Sequence, residues 1–350
     1  MFFYLILNAG EVAEGGRYGV YLAANTIIPA LFPFLILSDF IIKSELLSPL
    51  EQLFGVLSRL LFKFDGGVFV IYILSLLGGY PVGAACLEGY LERHRMSQKN
   101  KKRALLFVTN GGFPYALSVV GAGLFGDLKI GVIILLSNIS AGLFLGFCTA
   151  RFFKAEFKNE TKKPESSRKK QKAAEVFVSS VKNGSLNMLY ICFFIILFSS
   201  FLMPLFKTVL EGVFSENNTA FFYSLFELGG GILNFTPSFA AIPLIAFITG
   251  FGGLCVLLQI MAVSEKSSPG LPVFLIYKTL SGLLSAAFCL LFIKLFNLSV
   301  LVSVMGKRLS HLPAFSEGFS YFVFLFVAIA AVFCGFLGKK DGNFDIDMLQ

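Results

Sequence analysis

Two ionisable side chains sit among apolar residues: Lys278 in VFLIYKTLSGLL and Glu227 in LFELGGG. Three glycine-rich stretches accompany them. Gly78, Gly79, Tyr80 and Pro81 interrupt the run that follows VFVIYILS, Asn110, Gly111 and Gly112 open NGGFP, and Gly229 and Gly230 follow Glu227. Glycine and proline in an apolar helix free backbone N–H and C=O groups, which hydrocarbon cannot satisfy, so such a break stands only beside protein or a water-filled cavity. N–H groups and positive dipole ends exposed at a break suit an anionic or hydrogen-bonding solute. An ammonium deep in an apolar segment turns towards a cavity or a partner. The chemistry on offer is binding. The sequence has no Ser, His and carboxylate set, no metal-ligand spacing and no GxxxxGK[ST] loop, so no enzyme activity, metal or cofactor is expected.

Each residue also has a plainer reading. Lys278 holds a substrate carboxylate or counter-ion, or else forms a structural pair with Glu227 or Asp39. Glu227 binds a coupling cation, carries a proton, pairs with Lys278, or is a partly solvated hairpin carboxylate. Asn110 offers its amide to substrate or caps a broken helix, and Tyr80 stacks on a flat substrate or anchors its hairpin. Gln259, in VLLQIMA, faces the protein interior, where a hydrogen bond between helices is worth about 1 kcal/mol. Asn138 and Ser281 read as packing contacts, and Asp39 as solvated near a membrane boundary.

The elements that must position these residues are membrane helices. Of the 350 residues 56% are hydrophobic and 14% charged, against about 25% charged in soluble domains. A span needs about 20 apolar residues. Candidates are 20–42, 104–125, 128–153, 186–206, 238–263, 271–295 and 319–337, with two shorter broken stretches at 68–87 and 220–235 read as re-entrant hairpins. The net charge of +8 comes from cations in the loops, where they set topology, and no nucleic-acid partner is expected. The basic loop 88–103, the linker 154–175 and the tail 339–350 are expected in the cytoplasm. The N-terminal MFFYLIL lacks a basic n-region, so no cleaved signal peptide is expected. The six cysteines stand singly and read as buried, inert thiols.

The two halves repeat. NGGFPYALSVVGAGLFGDLKIGVIILLSNISAGLFLG aligns without gaps on GFGGLCVLLQIMAVSEKSSPGLPVFLIYKTLSGLLSA, pairing Gly112 with Gly252, Asn138 with Lys278 and Gly142 with Gly282. Upstream, PALFPFLILSDFI resembles YICFFIILFSSFL, and a glycine break follows each. The charge-derived topology runs equivalent spans in opposite directions. The expected fold is therefore an all-α polytopic membrane protein of two inverted-topology repeats with glycine-broken re-entrant hairpins, as in secondary transporters. The first repeat is 1–153, the basic linker 154–175, the second repeat and final span 176–338, and the tail 339–350.

PALFPFLILSDF, GGYPVGA, TNGGFPYALSVVGAGLF, FELGGG and GGLCVLLQI together resemble the YlbJ-type sporulation integral membrane proteins, grouped with the nucleoside-recognition Gate domain. The resemblance spans nearly the whole chain. It implies a multi-pass protein of the cell membrane or a membrane surrounding the forespore, moving a small organic anion, dipicolinate, during endospore formation. The expected substrate-binding residues are Gly78, Gly79, Tyr80, Pro81, Asn110, Gly111, Gly112, Glu227, Gly229, Gly230, Gln259 and Lys278, with Na⁺ or H⁺ as a coupling ion and the lipid bilayer as surroundings. A nucleoside transporter and a non-transporting sporulation scaffold are the alternatives.

Overall fold

A computed structural model describes residues 6–152, 172–209, 216–264 and 267–296. The expected final span 319–337 and the tail 339–350 lie outside the described residues, as does most of the linker 154–175.

Among the described residues every regular element is helical, as fits an apolar chain that must satisfy its own backbone groups. The first helix, α1 (Ala9–Lys43), extends well before the expected span 20–42. Pro29 cannot donate to the Asn25 carbonyl, and the chain takes a π-helical turn at Ala23–Ile27 immediately before it. Helix α2 (Leu47–Phe62) meets α3 (Gly66–Gly78) at 95°. Leu53, Val56 and Leu60 of α2 face outwards while Leu47, Ser58 and Phe62 are buried. Its C-terminal carbonyls, which have no partner in the helix, are taken by two guanidinium groups. Arg103 donates to the carbonyls of Phe62 at 2.7 Å and Lys63 at 2.9 Å, and Arg151 to those of Leu61 at 2.6 Å and Leu60 at 3.3 Å.

Helices α3 and α4 (Tyr80–Arg93) form a hairpin: Gly67 packs on Tyr90 at the open end and Gly78 on Val82 at the tip. Helix α5 (Gln98–Val108) ends at an extended stretch, 109–112, and Tyr115–Leu124 is π-helical, so the expected span 104–125 is two segments. Gly111, Gly112 and Pro114 lie between them. Helix α6 (Leu128–Phe152) follows without interruption; at 1.5 Å per residue it is about 37 Å long, enough to cross a bilayer. The second half has α7 (Ala173–Val209), a short hairpin of α8 (Glu216–Phe226) and α9 (Leu228–Leu233), then α10 (Ala241–Phe251), α11 (Gly253–Val263) and α12 (Leu271–Leu295). Among the described residues five helices are long and apolar enough to cross a membrane, or six with the bent α2–α3 pair. The chain is a multi-pass membrane protein.

Helices that the sequence alignment of the two halves pairs are antiparallel neighbours. Gly15 of α1 meets Ser199 of α7, whereas Ile36 meets Gly184 and Asp39 meets Asn183. Likewise Cys289 of α12 lies beside Ser137 of α6, and Tyr277 near Cys148. Segments assigned to one side by charge also touch. Glu51 approaches His94 at 3.6 Å, Gly89 packs against Asp39 and Lys43, and Ser267 donates to Glu88 at 2.6 Å. Asp39 is buried and paired with Lys43 at 3.1 Å, which corrects its reading as a solvated group. Cys86, Cys192, Cys255 and Cys289 are buried free thiols and Cys148 is half-buried; Cys334 lies outside the described residues.

Candidate functional site

Four helix breaks meet in the interior. Gly79 turns the α3–α4 hairpin with φ +87°, a conformation that side chains with a Cβ rarely adopt. Pro81 lies in the first turn of α4, where its missing N–H costs no helical bond. The backbone of the second break comes up against this tip: a Cβ on Gly112 would stand 2.8 Å from the Gly79 nitrogen. In the other half Gly252 breaks α10 from α11 with φ +96°, so the expected span 238–263 is also interrupted. Gly253 abuts the backbone of Phe226 and Leu228, at the fourth break.

Tyrosines cross between halves. The Tyr80 hydroxyl donates to the Thr249 carbonyl in the last turn of α10, and a Cβ on Gly252 would lie 3.2 Å from the Tyr80 ring. Tyr80 is buried, so in this conformation it joins the two halves and has no open face for a flat solute. Tyr115, which starts the π-helical segment, donates to the Leu228 carbonyl at 3.0 Å.

Lys278 crosses in the reverse direction. It is 1% exposed, its ammonium donates to the Thr109 carbonyl just past the end of α5, and its Nζ stands 4.8 Å from the Tyr80 ring centroid and 5.9 Å from that of Phe274. A cation at a helix C-terminus meets the negative end of the dipole, and a desolvated cation over a tyrosine gains further attraction. Among the described residues no carboxylate lies within ion-pair distance of it. The expected alternative of a pair with Glu227 or Asp39 is therefore not formed. Asp39 has Lys43, and Glu227 accepts from the Gly229 and Gly230 N–H groups at 2.7 and 2.5 Å. Glu227 is a buried N-cap, and its expected solvation is corrected.

Asn138 occupies the position equivalent to Lys278, and Thr249 the position equivalent to Thr109. The Asn138 amide nitrogen donates to Thr249 Oγ1 at 3.0 Å, so the aligned positions exchange contacts: 278 reaches 109, and 138 reaches 249. The Asn138 Oδ1 is buried and has no hydrogen-bond partner among the described residues. Gly111 fills the space between Thr249, the Tyr80 ring and the Asn138 amide. Asn110 donates to the Phe107 carbonyl at 2.8 Å and so caps α5. Gln259 is buried on α11 and donates along its own helix to Cys255 Sγ at 3.3 Å.

The structure thus gathers Gly78, Gly79, Tyr80, Pro81, Asn110, Gly111, Gly112 and Lys278 around one centre. Glu227, Gly229 and Gly230 form the next layer, behind Gly252 and Gly253, and among the described residues Gln259 bonds to neither. Thr109, Asn138, Thr249, Gly252 and Tyr115 belong to the centre and were not expected there. The alignment of NGGFP with GFGG held the signal for Thr249 and Gly252.

Helices broken at a shared buried centre, in a chain with at least five spanning helices, define a polytopic α-helical membrane protein with a polar core between two halves. Across 329 residues it is 21% identical to the sporulation integral membrane protein YlbJ of Bacillus subtilis (strain 168), covering 83% of this chain and 81% of that protein. No protein-family model matches this chain, and no solved structure does.

Proposed function

We propose that the chain transports a small organic anion across a membrane during endospore formation, with dipicolinate as the substrate the family resemblance implies. The observation that carries this reading is Lys278. A fully buried ammonium, with a neutral carbonyl as its recorded hydrogen-bond acceptor and two further N–H donors, stands where both halves break their helices. A carboxylate is a stronger acceptor for an ammonium than an amide carbonyl is. Substrate would draw Lys278 from Thr109 and loosen a contact that ties the halves together. The antiparallel pairing of α1 with α7 and of α6 with α12 supports two inverted-topology repeats, and rocking of one against the other would carry the centre from one side to the other.

The test is uptake of labelled dipicolinate into proteoliposomes, with uridine and adenosine alongside. Wild type is expected to take up dipicolinate. Lys278→Met abolishes this while the protein stays inserted and folded, and Lys278→Arg keeps the charge but weakens uptake through altered geometry. Uptake of uridine or adenosine that ignores Lys278→Met would favour a nucleoside transporter. No uptake and no thermal stabilisation by any of the three would favour a scaffold.

A further inference from the structure

We infer that Glu227 is the site at which transport is coupled to a proton, an inference that rests on the transporter reading above. Glu227 is 2% exposed at the tip of the α8–α9 hairpin. Each carboxylate oxygen is committed to a backbone N–H, Oε1 to Gly229 and Oε2 to Gly230. A metal cation needs several oxygen ligands facing it. Here the positive ends of two N–H dipoles already occupy the carboxylate.

The side chains around the carboxylate are neutral partners. Tyr18 comes from α1, Tyr115 from the π-helical segment, Tyr223 from α8 and Cys255 from α11; α10, which also packs on α9, carries no titratable residue. Among the described residues Glu227 forms no ion pair with Lys, Arg or His. An ionised carboxylate removed from water without a cation is costly, and two neutral donors offset only part of that cost. A proton is the one counter-charge that needs no cage of ligands. It passes from water on one side to a Glu227 oxygen, giving the neutral acid, and returns to water on the other, leaving the carboxylate.

The proton site and the anion site are mechanically joined. Gly253 abuts the Leu228 backbone directly behind Glu227, and Gly252 next to it lies against the Tyr80 ring over which the Lys278 ammonium stands. Protonation weakens the acceptor that caps α9, and the α9 break presses on Gly253. The proton moved with the substrate would also cancel part of its negative charge.

Three measurements on the full chain test this. In proteoliposomes, dipicolinate accumulation should rise with an inward acid gradient and ignore a sodium gradient. In Glu227→Gln the acid gradient should no longer raise accumulation. On the purified protein, infrared spectroscopy should show a protonated-carboxyl band that disappears as pH is raised and is missing in Glu227→Gln. Accumulation that follows sodium and ignores pH, or an acid-gradient response that survives in Glu227→Gln, would overturn the inference. If wild type exchanges no dipicolinate at all, the transporter reading fails, while the infrared band still reports whether Glu227 takes up a proton; a band unchanged by pH or by the substitution defeats the proton site by itself. The wild-type gradient measurements decide the matter even where the Gln variant does not fold.

Discussion

Lys278 and Glu227 are each ionisable and buried, and the structure keeps them apart. Their partners are backbone groups: a carbonyl for the ammonium, two N–H groups for the carboxylate. Combining Lys278→Met with Glu227→Gln should therefore not recover stability, measured by thermal unfolding in detergent, because the two side chains form no ion pair and any coupling runs only through the Gly252–Gly253 contacts. Recovery of stability in the double variant would mean that the two form a pair in the membrane. Tyr80→Phe removes only the hydroxyl that joins the halves. It should cost about 1 kcal/mol, the net worth of a typical hydrogen bond, or somewhat more where the Thr249 carbonyl is left without a partner. Backbone partners explain why this chemistry was only half legible. The sequence marks Lys278 as buried, but Thr109 offers its carbonyl, and a carbonyl is the same in every residue.

At the scale of elements, the breaks were the legible part because glycine and proline announce them. GGYP, NGGFP and LGGG all break helices where expected. The GFGG break was missed because it lies inside the expected span 238–263; Gly252 and Gly253 both take positive φ there, and the alignment with NGGFP was its one sequence signal. Gly252 and Gly270 offer a controlled comparison: both have positive φ, but a Cβ at Gly270 meets nothing within 4 Å, whereas one at Gly252 meets the Tyr80 ring at 3.2 Å. Gly270→Ala should cost roughly 1 kcal/mol of backbone strain, and Gly252→Ala clearly more, with the excess reporting the Tyr80 contact. Equal losses would show that the ring moves aside freely. The clamp on α2 was not legible, since Arg103 and Arg151 read only as loop cations. Arg103→Lys loses one of the two carbonyl contacts a planar fork makes, and should raise protease sensitivity at 63–66.

At the scale of the whole molecule, segments that the positive charge assigns to one side lie near one another. The loop at 88–103, the end of α1 and the start of α7 come together, as segments on one face of a bilayer must. The side they face is tested with single cysteines at Gln98 and Ser167 in a cysteine-free background. An impermeant maleimide should label neither in intact cells and both after permeabilisation; labelling in intact cells would reverse the topology. The lengths of α1 and α7 exceeded expectation, because polar residues flanking an apolar run do not stop a helix that its neighbour supports.

The exchanged contacts of Lys278 and Asn138 have an energetic consequence. Two identical halves related by a two-fold axis could trade conformations at no cost, leaving inward-open and outward-open forms equally populated. Here one arm of the exchange is an ammonium on a carbonyl and the other a neutral amide on a hydroxyl. The degeneracy is lifted, so on the proposed transport cycle an empty molecule would rest on one face; a preference of only 1.4 kcal/mol would fill that face about tenfold over the other.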